Sequence, residues 1–421
     1  KLDGLSEKND RIIMNILDSS AIRKCTSCQM CAAVCPKGAI TIELDMNGFY
    51  RPIVDDAKCV DCSICTKVCY KFDTCISVSD NQKLNSTILY GGFVKDPELL
   101  NKTTSGGIAD LLAHQLVKDG YKCVGVVYDS ENDKAKDIIA SHEYELKDFK
   151  GSKYIQSYTF SAFKEIVKTC KTEKYAVFGT PCHIYALDRF LKIKKVRDNF
   201  VLIDLYCHGC PSMNVWKKFI KEVKIKTRQS KIDYVNFRSK IKGWGNFYVV
   251  VVVDGKPIYY SSDDKNNDFY DLFFSDHILN EACHDCKLRS TLDYTDIRLG
   301  DFWGKQYVLN NKGVSAISLV SDRARSLFSE ISSYVSYQQE KYDDFLPWQS
   351  WGKIHAPNQS LRELMLKQLQ DEKVPLHETV VSFKGQQTFV TKMIGVAKSF
   401  VHLLPLSFEK HIRWLFYHIK K

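Results

Sequence analysis

The sequence predicts an α+β protein in which a small cysteine-patterned module precedes a larger, α/β-like layered domain. Three observations carry that expectation. Twelve of the sixteen cysteines in the 421 residues fall in short clustered spacings. From Ile88 onward, apolar runs of strand length alternate with helical patterns, as layered α/β architectures require. The composition, 44% apolar and 26% charged with ten prolines, supplies a real core and excludes disordered and collagen-like chains. At roughly 100–200 residues per domain, two or three domains are expected.

The module comes first. Lys8–Asp18 reads as a short leading helix. Cys25, Cys28, Cys31 and Cys35 form C-x2-C-x2-C-x3-C followed by Pro36, and Cys59, Cys62, Cys65 and Cys69 repeat the spacing thirty-four positions later with Tyr70 in the proline position. This is the pattern of two-cluster bacterial ferredoxins, in which three close thiolates hold one cubane and the fourth crosses to the other. By that rule Cys25, Cys28, Cys31 and Cys69 hold one [4Fe-4S] cluster, and Cys59, Cys62, Cys65 and Cys35 hold the second. The competing reading is a pair of zinc sites, which would instead use two C-x2-C pairs with a longer gap. Sixteen cysteines are too dilute for a disulfide scaffold, and Cys75 has no place in the pattern. The expected domain is 1–79, a helix plus a 2[4Fe-4S] ferredoxin-like fold, closed by the polar linker SDNQKLNST.

The layered domain follows, with expected strands at Ile88–Val94, Lys122–Tyr128, Lys174–Phe178 and Phe200–Leu205. Helices are expected at Gly107–Lys118, Ile184–Leu191 and Val215–Val223, and further strands at Asp233–Phe237, Phe247–Val253, Pro257–Tyr260, Asp296–Leu299 and Ser315–Val320. No G-x-G-x-x-G and no G-x-x-x-x-G-K-[ST] occurs in the sequence, so neither a Rossmann fingerprint nor a P-loop is indicated. Ser105-Gly106-Gly107 opens a helix, where free N–H groups can meet a phosphate or simply be capped.

Six ordered strings in this region carry a resemblance: TSGGIADLL at 104–112, GSKYIQS at 151–157, FGTPCHIYAL at 178–187, IDLYCHGCPS at 203–212, CHDCKLRS at 283–290 and DIRLGDFWG at 296–304. Together they resemble the family of beta subunits of coenzyme F420 hydrogenases and dehydrogenases, from about Ile88 to Val320. The resemblance implies a flavin domain binding FAD, with Thr104, Ser105, Gly106, Gly107, Gly151, Ser152, Lys153, Gln156, Gly179 and Thr180 in the cofactor walls. Lys153 would be the cation near the flavin or its pyrophosphate. It also implies a third [4Fe-4S] cluster on Cys182, Cys207, Cys283 and Cys286; a zinc site or buried thiols are the alternatives. Two strand-end loops and a C-x2-C loop could converge for this purpose at the carboxyl edge of a sheet. The chain departs from the family pattern at Cys210, which could replace Cys207 as ligand, and at His183. His208 could donate a proton near the flavin, or merely hydrogen-bond backbone or tune a cluster sulfur. Arg289, Asp301 and Trp303 read as packing residues. The expected domains are thus 86–330, binding FAD and [4Fe-4S], and 331–421, a helical extension.

Net charge is +10, and half of the excess lies in 386–421, where six Lys/Arg face Glu409 alone. Phe408, Ile412, Leu415, Phe416 and Ile419 form one apolar helical stripe there. Such a basic amphipathic tail could lie on an anionic membrane or pack on its own domain. No nucleic-acid reader motif accompanies the charge. The opening KLDGLSEKNDRII has no signal-peptide core, so a cytoplasmic protein, at most peripheral at the inner membrane face, is expected.

The expected function is that of an FAD- and iron–sulfur-dependent oxidoreductase. Hydride chemistry at FAD would couple to one-electron transfer through the clusters. Ferredoxin or another redox carrier is the expected partner, with a small-molecule donor or acceptor, coenzyme F420 as co-substrate in the F420 dehydrogenase-like case, or a role in bacterial cell-surface polysaccharide synthesis. The alternative is a non-catalytic electron-transfer subunit docked to a larger membrane-associated or hydrogenase-type complex.

Overall fold

The computed structural model describes residues 15–264, 266–387, Met393 and Ile412. The basic tail and most of the expected leading helix lie outside the described residues; Asn15–Asp18 form a turn rather than a helix.

The amino-terminal module is built on the hairpin β1 (Ile40–Leu44) and β2 (Tyr50–Val54). Its cysteine loops end in short helices, Met30–Val34 and Ile64–Lys67. The thirty-four-residue repeat extends to the backbone, because Ser27 and Gln29 in the first loop, like Asp61 and Ser63 in the second, have left-handed φ angles of 65°, 64°, 47° and 58°. One left-handed residue between each pair of successive cysteines at C-x2-C spacing curls each loop so that its thiols share one concave side.

The main sheet has nine strands in the order β14-β3-β13-β12-β8-β7-β4-β5-β6. In chain order these are β3 (Ile88–Val94), β4 (Lys122–Asp129), β5 (Lys134–Ala140), β6 (Ser157–Tyr158), β7 (Tyr175–Phe178), β8 (Phe200–Leu205), β12 (Ile297–Asp301), β13 (Ser315–Leu319) and β14 (Val335–Gln339). The runs Phe200–Asp204 and Ser315–Leu319 are buried throughout, because helices cover both faces. Alternation along a strand divides the core accordingly. Val201 and Ile203 pack with Leu112 and Leu116 of the helix Ile108–Lys118, whereas Phe200 and Leu202 pack with Phe163, Leu187 and Phe190 on the other side. A second sheet, in the order β11-β10-β9, comprises β9 (Tyr234–Asn236), β10 (Val250–Val253) and β11 (Lys256–Tyr260). It shares a core with the helices Met213–Thr227, Gln359–Gln370 and Leu376–Gly385. The result is a mixed α/β fold with an amino-terminal ferredoxin-type domain.

Three differences from the expected layout have physical causes. The linker after Ser79 contains a short helix, Asn81–Asn85, nucleated by Asp80, whose carboxylate accepts from Lys83 N. β5 was unforeseen because KAKDIIA alternates around a buried Asp137. The segment after residue 330 is not wholly helical: β14 pairs with β3 at the sheet edge, and its last four residues are exposed, so it has little apolar signature.

The module is seated on the main sheet by polar clamps as well as apolar contact. Met30, Val34, Val68 and Tyr70 belong to the same core cluster as Phe163 and Tyr185. Buried Gln29 donates to Ser157 O at 2.9 Å and accepts from Thr159 N and Phe160 N at 2.9 and 3.0 Å. Gly48 in the β1–β2 turn has φ +77°, and a Cβ there would lie 2.7 Å from Ser212 Oγ; its carbonyl accepts from Met213 N.

Candidate metal centres

β3, β4, β7, β8 and β12 run parallel to one another in the main sheet, so the loops that follow them gather at one carboxyl edge. Three groups of thiols lead from the module to that edge.

Cys25, Cys28, Cys31 and Cys69 line one small cavity, floored by Ile42 and Tyr50. Cys35, Cys59, Cys62 and Cys65 line a second beside Ile40 and Ile64. These are the two crosswise sets that the spacing predicts. Burial pushes the Cys28 and Cys65 thiols up to about 11, and Cys31 and Cys69 are also raised by burial and by neighbouring thiols. Bare thiolates are unfavourable in such a setting, so the positive charge of bound iron is what would ionise them. Backbone N–H groups also approach the sulfurs, with Ala39 N at 3.3 Å from Cys35 Sγ and Lys71 N at 3.4 Å from Cys69 Sγ; such contacts tune cluster potentials.

The third group holds five cysteines. Cys182 is the second residue of the helix after β7, Cys207 and Cys210 follow β8, and Cys283 and Cys286 flank a turn between two short 3-10 segments. Cys182 interacts electrostatically with Cys207 and Cys283, Cys207 with Cys286, and Cys210 with Cys283, Cys182 and Cys207. Burial raises Cys207 to about 11 and Cys283 to about 12. The expected ligands are therefore brought together, with Cys210 among them on the side facing Arg51. The groups form a series: Cys31 is within electrostatic reach of Cys65, and Cys182 of Cys28. Cys62, in the outermost group, is exposed.

Beneath the third group lies a pair without solvent contact. Arg298 Nε donates to Asp204 Oδ1 at 2.8 Å, and the same guanidinium donates to the carbonyls of Arg289 and Thr291 at 2.9 Å. Arg289, read from sequence as packing, is buried and donates to Cys283 O.

The cofactor-wall residues separate into three situations. Thr104 and Gly151–Ser152 meet, Ser152 N donating to Thr104 Oγ1 at 3.0 Å. Ser105 Oγ donates to Val314 O, and Gly106 N to Ser315 Oγ, both at 3.0 Å. A Cβ on Gly106 would lie 2.3 Å from Gly92 O, so only glycine fits. Gly107, φ +82°, begins the helix Ile108–Lys118 without a side-chain cap. Lys153 Nζ donates to the carbonyls of Asp148, Phe149 and Lys150 at 3.0–3.2 Å, and burial lowers it to about 7. Gln156 clamps the module instead, accepting from Tyr50 N and donating to Gly48 O and Pro211 O. Gly179 and Thr180 lie at the end of β7, where Thr180 Oγ1 is 3.3 Å from Cys182 Sγ. Lys240, unmarked by any motif, places Nζ 2.7 Å from Ser105 O, and burial lowers it to about 8.

His208 lies beside the third group, 2.9 Å from Asp276 Oδ1 through Nε2 and 3.2 Å from Ser350 Oγ through Nδ1. His355 joins the same carboxylate from the other side. Neither Asp276 nor His355 falls in a recognisable string, and only the fold brings them to His208.

The thiol groups and mixed sheet define an iron–sulfur electron-transfer protein. Residues 172–344 match the family described as the C terminus of the beta subunit of coenzyme F420 hydrogenase/dehydrogenase, and residues 24–71 match a 4Fe-4S dicluster domain. The matched part of the chain is thus similar to that family of beta subunits, with the dicluster domain ahead of it. The F subunit of the F(420)H(2) dehydrogenase of Methanosarcina mazei is 24% identical over 315 residues, covering 71% of this chain and 82% of that protein. A chain from the F420-reducing [NiFe] hydrogenase complex of Methanosarcina barkeri aligns with a TM-score of 0.43 and 16% identity, covering 71% of this chain and 91% of its own. No helix among the described residues is long and apolar enough to cross a membrane.

Proposed function

We propose that this protein is an oxidoreductase in which FAD, seated on the 104–108 and 151–153 segments, exchanges two electrons with an organic carrier such as coenzyme F420. Three [4Fe-4S] clusters would pass the electrons singly to a redox protein. The observation that carries the reading is the series of three thiol groups running from exposed Cys62 to the carboxyl edge of the sheet. FAD supplies the conversion between two-electron and one-electron steps. Its diphosphate would meet the uncapped N–H groups at the start of the helix Ile108–Lys118, beside the partly buried amine of Lys240. Cys182, Cys207, Cys283 and Cys286 would hold the third cluster, with Arg289 lowering the charge cost at Cys207.

Anaerobically purified protein is expected to contain about twelve irons, four for each cubane, with matching labile sulfide and one flavin per chain. Its clusters should bleach on addition of reduced F420, NAD(P)H or reduced ferredoxin. Fully loaded clusters with no flavin, inert to every soluble donor, would overturn the FAD reading in favour of a non-catalytic electron-transfer role.

An open groove supports docking to an acidic redox partner. It measures about 1150 Å³, and its wall is the face of the helix Met213–Thr227 bearing Lys217, Lys221 and Lys224, continued by Arg228. Ile42 and Tyr50 line both this groove and the first thiol cavity, so a partner seated there lies one residue layer from a cluster.

A further inference from the structure

His208, Asp276 and His355 come from three separate loops, yet their ligand-type atoms lie within 4.8 Å of one another. Asp276 has φ +65°, a conformation that costs a non-glycine residue energy and aims its carboxylate between the imidazoles. Oδ1 is 2.9 Å from His208 Nε2 and Oδ2 is 2.7 Å from His355 Nδ1. Despite these distances, His208 Nε2, Asp276 Oδ1 and His355 Nδ1 are buried with no well-directed hydrogen-bond partner. Ring nitrogens that face a carboxylate closely, but off the N–H axis, are arranged to converge on a common point. Of the outward nitrogens, His208 Nδ1 is 3.2 Å from Ser350 Oγ, a contact of the kind that orients metal-binding imidazoles, whereas His355 Nε2 lies 3.2 Å from His208 O and 2.6 Å from Arg289 Nη1. Phe273 and Phe274 wall the site, with ring centroids 5.5 and 5.6 Å from that of His208.

We propose that His208, Asp276 and His355 form a mononuclear site for a divalent transition metal, zinc or ferrous iron, separate from the cysteine-held clusters. Two imidazoles and one carboxylate suit either ion and leave positions open for water or an oxygen-donor ligand. His208 is then a ligand rather than a proton donor. The same three residues could instead be joined by protons. Arg289 Nη1, 2.6 Å from His355 Nε2, would donate to it, and Nδ1–H would turn toward Asp276. Metal content distinguishes the two arrangements.

The test is metal and labile-sulfide analysis of the anaerobically purified full chain. Cubane clusters contain equal numbers of iron and sulfide, so this site should appear as about one zinc, or about one iron in excess of sulfide, per chain. Asp276→Asn and His355→Gln should each lower that extra metal at least tenfold while sulfide stays constant. Ser350→Ala, which changes only an outer contact, should keep it. Wild-type protein with no zinc and iron equal to sulfide would overturn the proposal. Retention of the metal in both ligand variants, or its loss only together with sulfide, would also overturn it.

Discussion

The thiol of Cys182 lies within electrostatic reach of Cys28, joining the strand-end group to the amino-terminal module. That contact makes the third group the inner end of a series rather than an isolated site. Among its five cysteines, Cys207 interacts with Cys182, Cys283 and Cys286, the three other expected ligands, and with Arg289, whereas Cys210 interacts with Cys283, Cys182, Cys207 and, on its other side, Arg51. Cys207→Ser should therefore remove about four irons and their sulfides, the content of one cubane. Cys210→Ser should remove none. Equal losses in the two variants, measured by iron and sulfide analysis, would reject Cys207 as the preferred ligand.

The cysteine loops of the module were legible because each is a local pattern, whose spacing restricts where its thiols can point. The central strands were legible for a similar reason, since Phe200–Leu205 and Ser315–Leu319 are apolar enough to require cover on both faces. Edge strands were not. Val335–Gln339 buries only Val335, and Lys134–Ala140 mixes lysines with a buried aspartate. The 208–276–355 cluster was partly visible, through His208 alone, because no periodicity links three loops. Gln156 shows the opposite limit: its string matched a family pattern, but its amide holds the module.

Asp204 and Arg298 are both fully buried, and the guanidinium also fixes the loop carrying Arg289 and Thr291. Removing one member leaves an unpaired buried charge, so Arg298→Met should cost about 3–5 kcal/mol. Replacing both with apolar residues of similar volume should recover part of that loss. Thermal unfolding under anaerobic conditions measures both effects; equal destabilisation by the single and double variants would contradict the account.

Asp137 is buried on β5 and bonded to Ser157 Oγ, and burial raises its carboxyl to about 7 from an ordinary 3.8. Between those values the unfolded chain has released the proton while the folded chain retains it. Stability therefore falls as pH rises from about 4 to about 7 and then levels, by at most about 4 kcal/mol. Asp137→Asn keeps an acceptor for Ser157 and should flatten this segment of the stability profile. A wild-type midpoint rising with pH across that window, relative to the variant, would have the wrong sign.

Lys217, Lys221, Lys224 and Arg228 recur at intervals of four, three and four, the spacing of one helix face. Lys221 is paired with Glu372 and Lys224 with Asp133, whereas Lys217 and Arg228 have no ion pair among the described residues. Charges at the rim of an interface act mainly on encounter rate, and salt screens them over about 10 Å at 0.1 M. The double variant Lys217→Glu/Arg228→Glu should thus lower kcat/KM for an acidic ferredoxin about tenfold at low ionic strength, with kcat little changed. The difference from wild type should shrink as salt is added. Steady-state reduction assays across a salt series test this, and a deficit confined to kcat and indifferent to salt would place partner docking elsewhere on the protein.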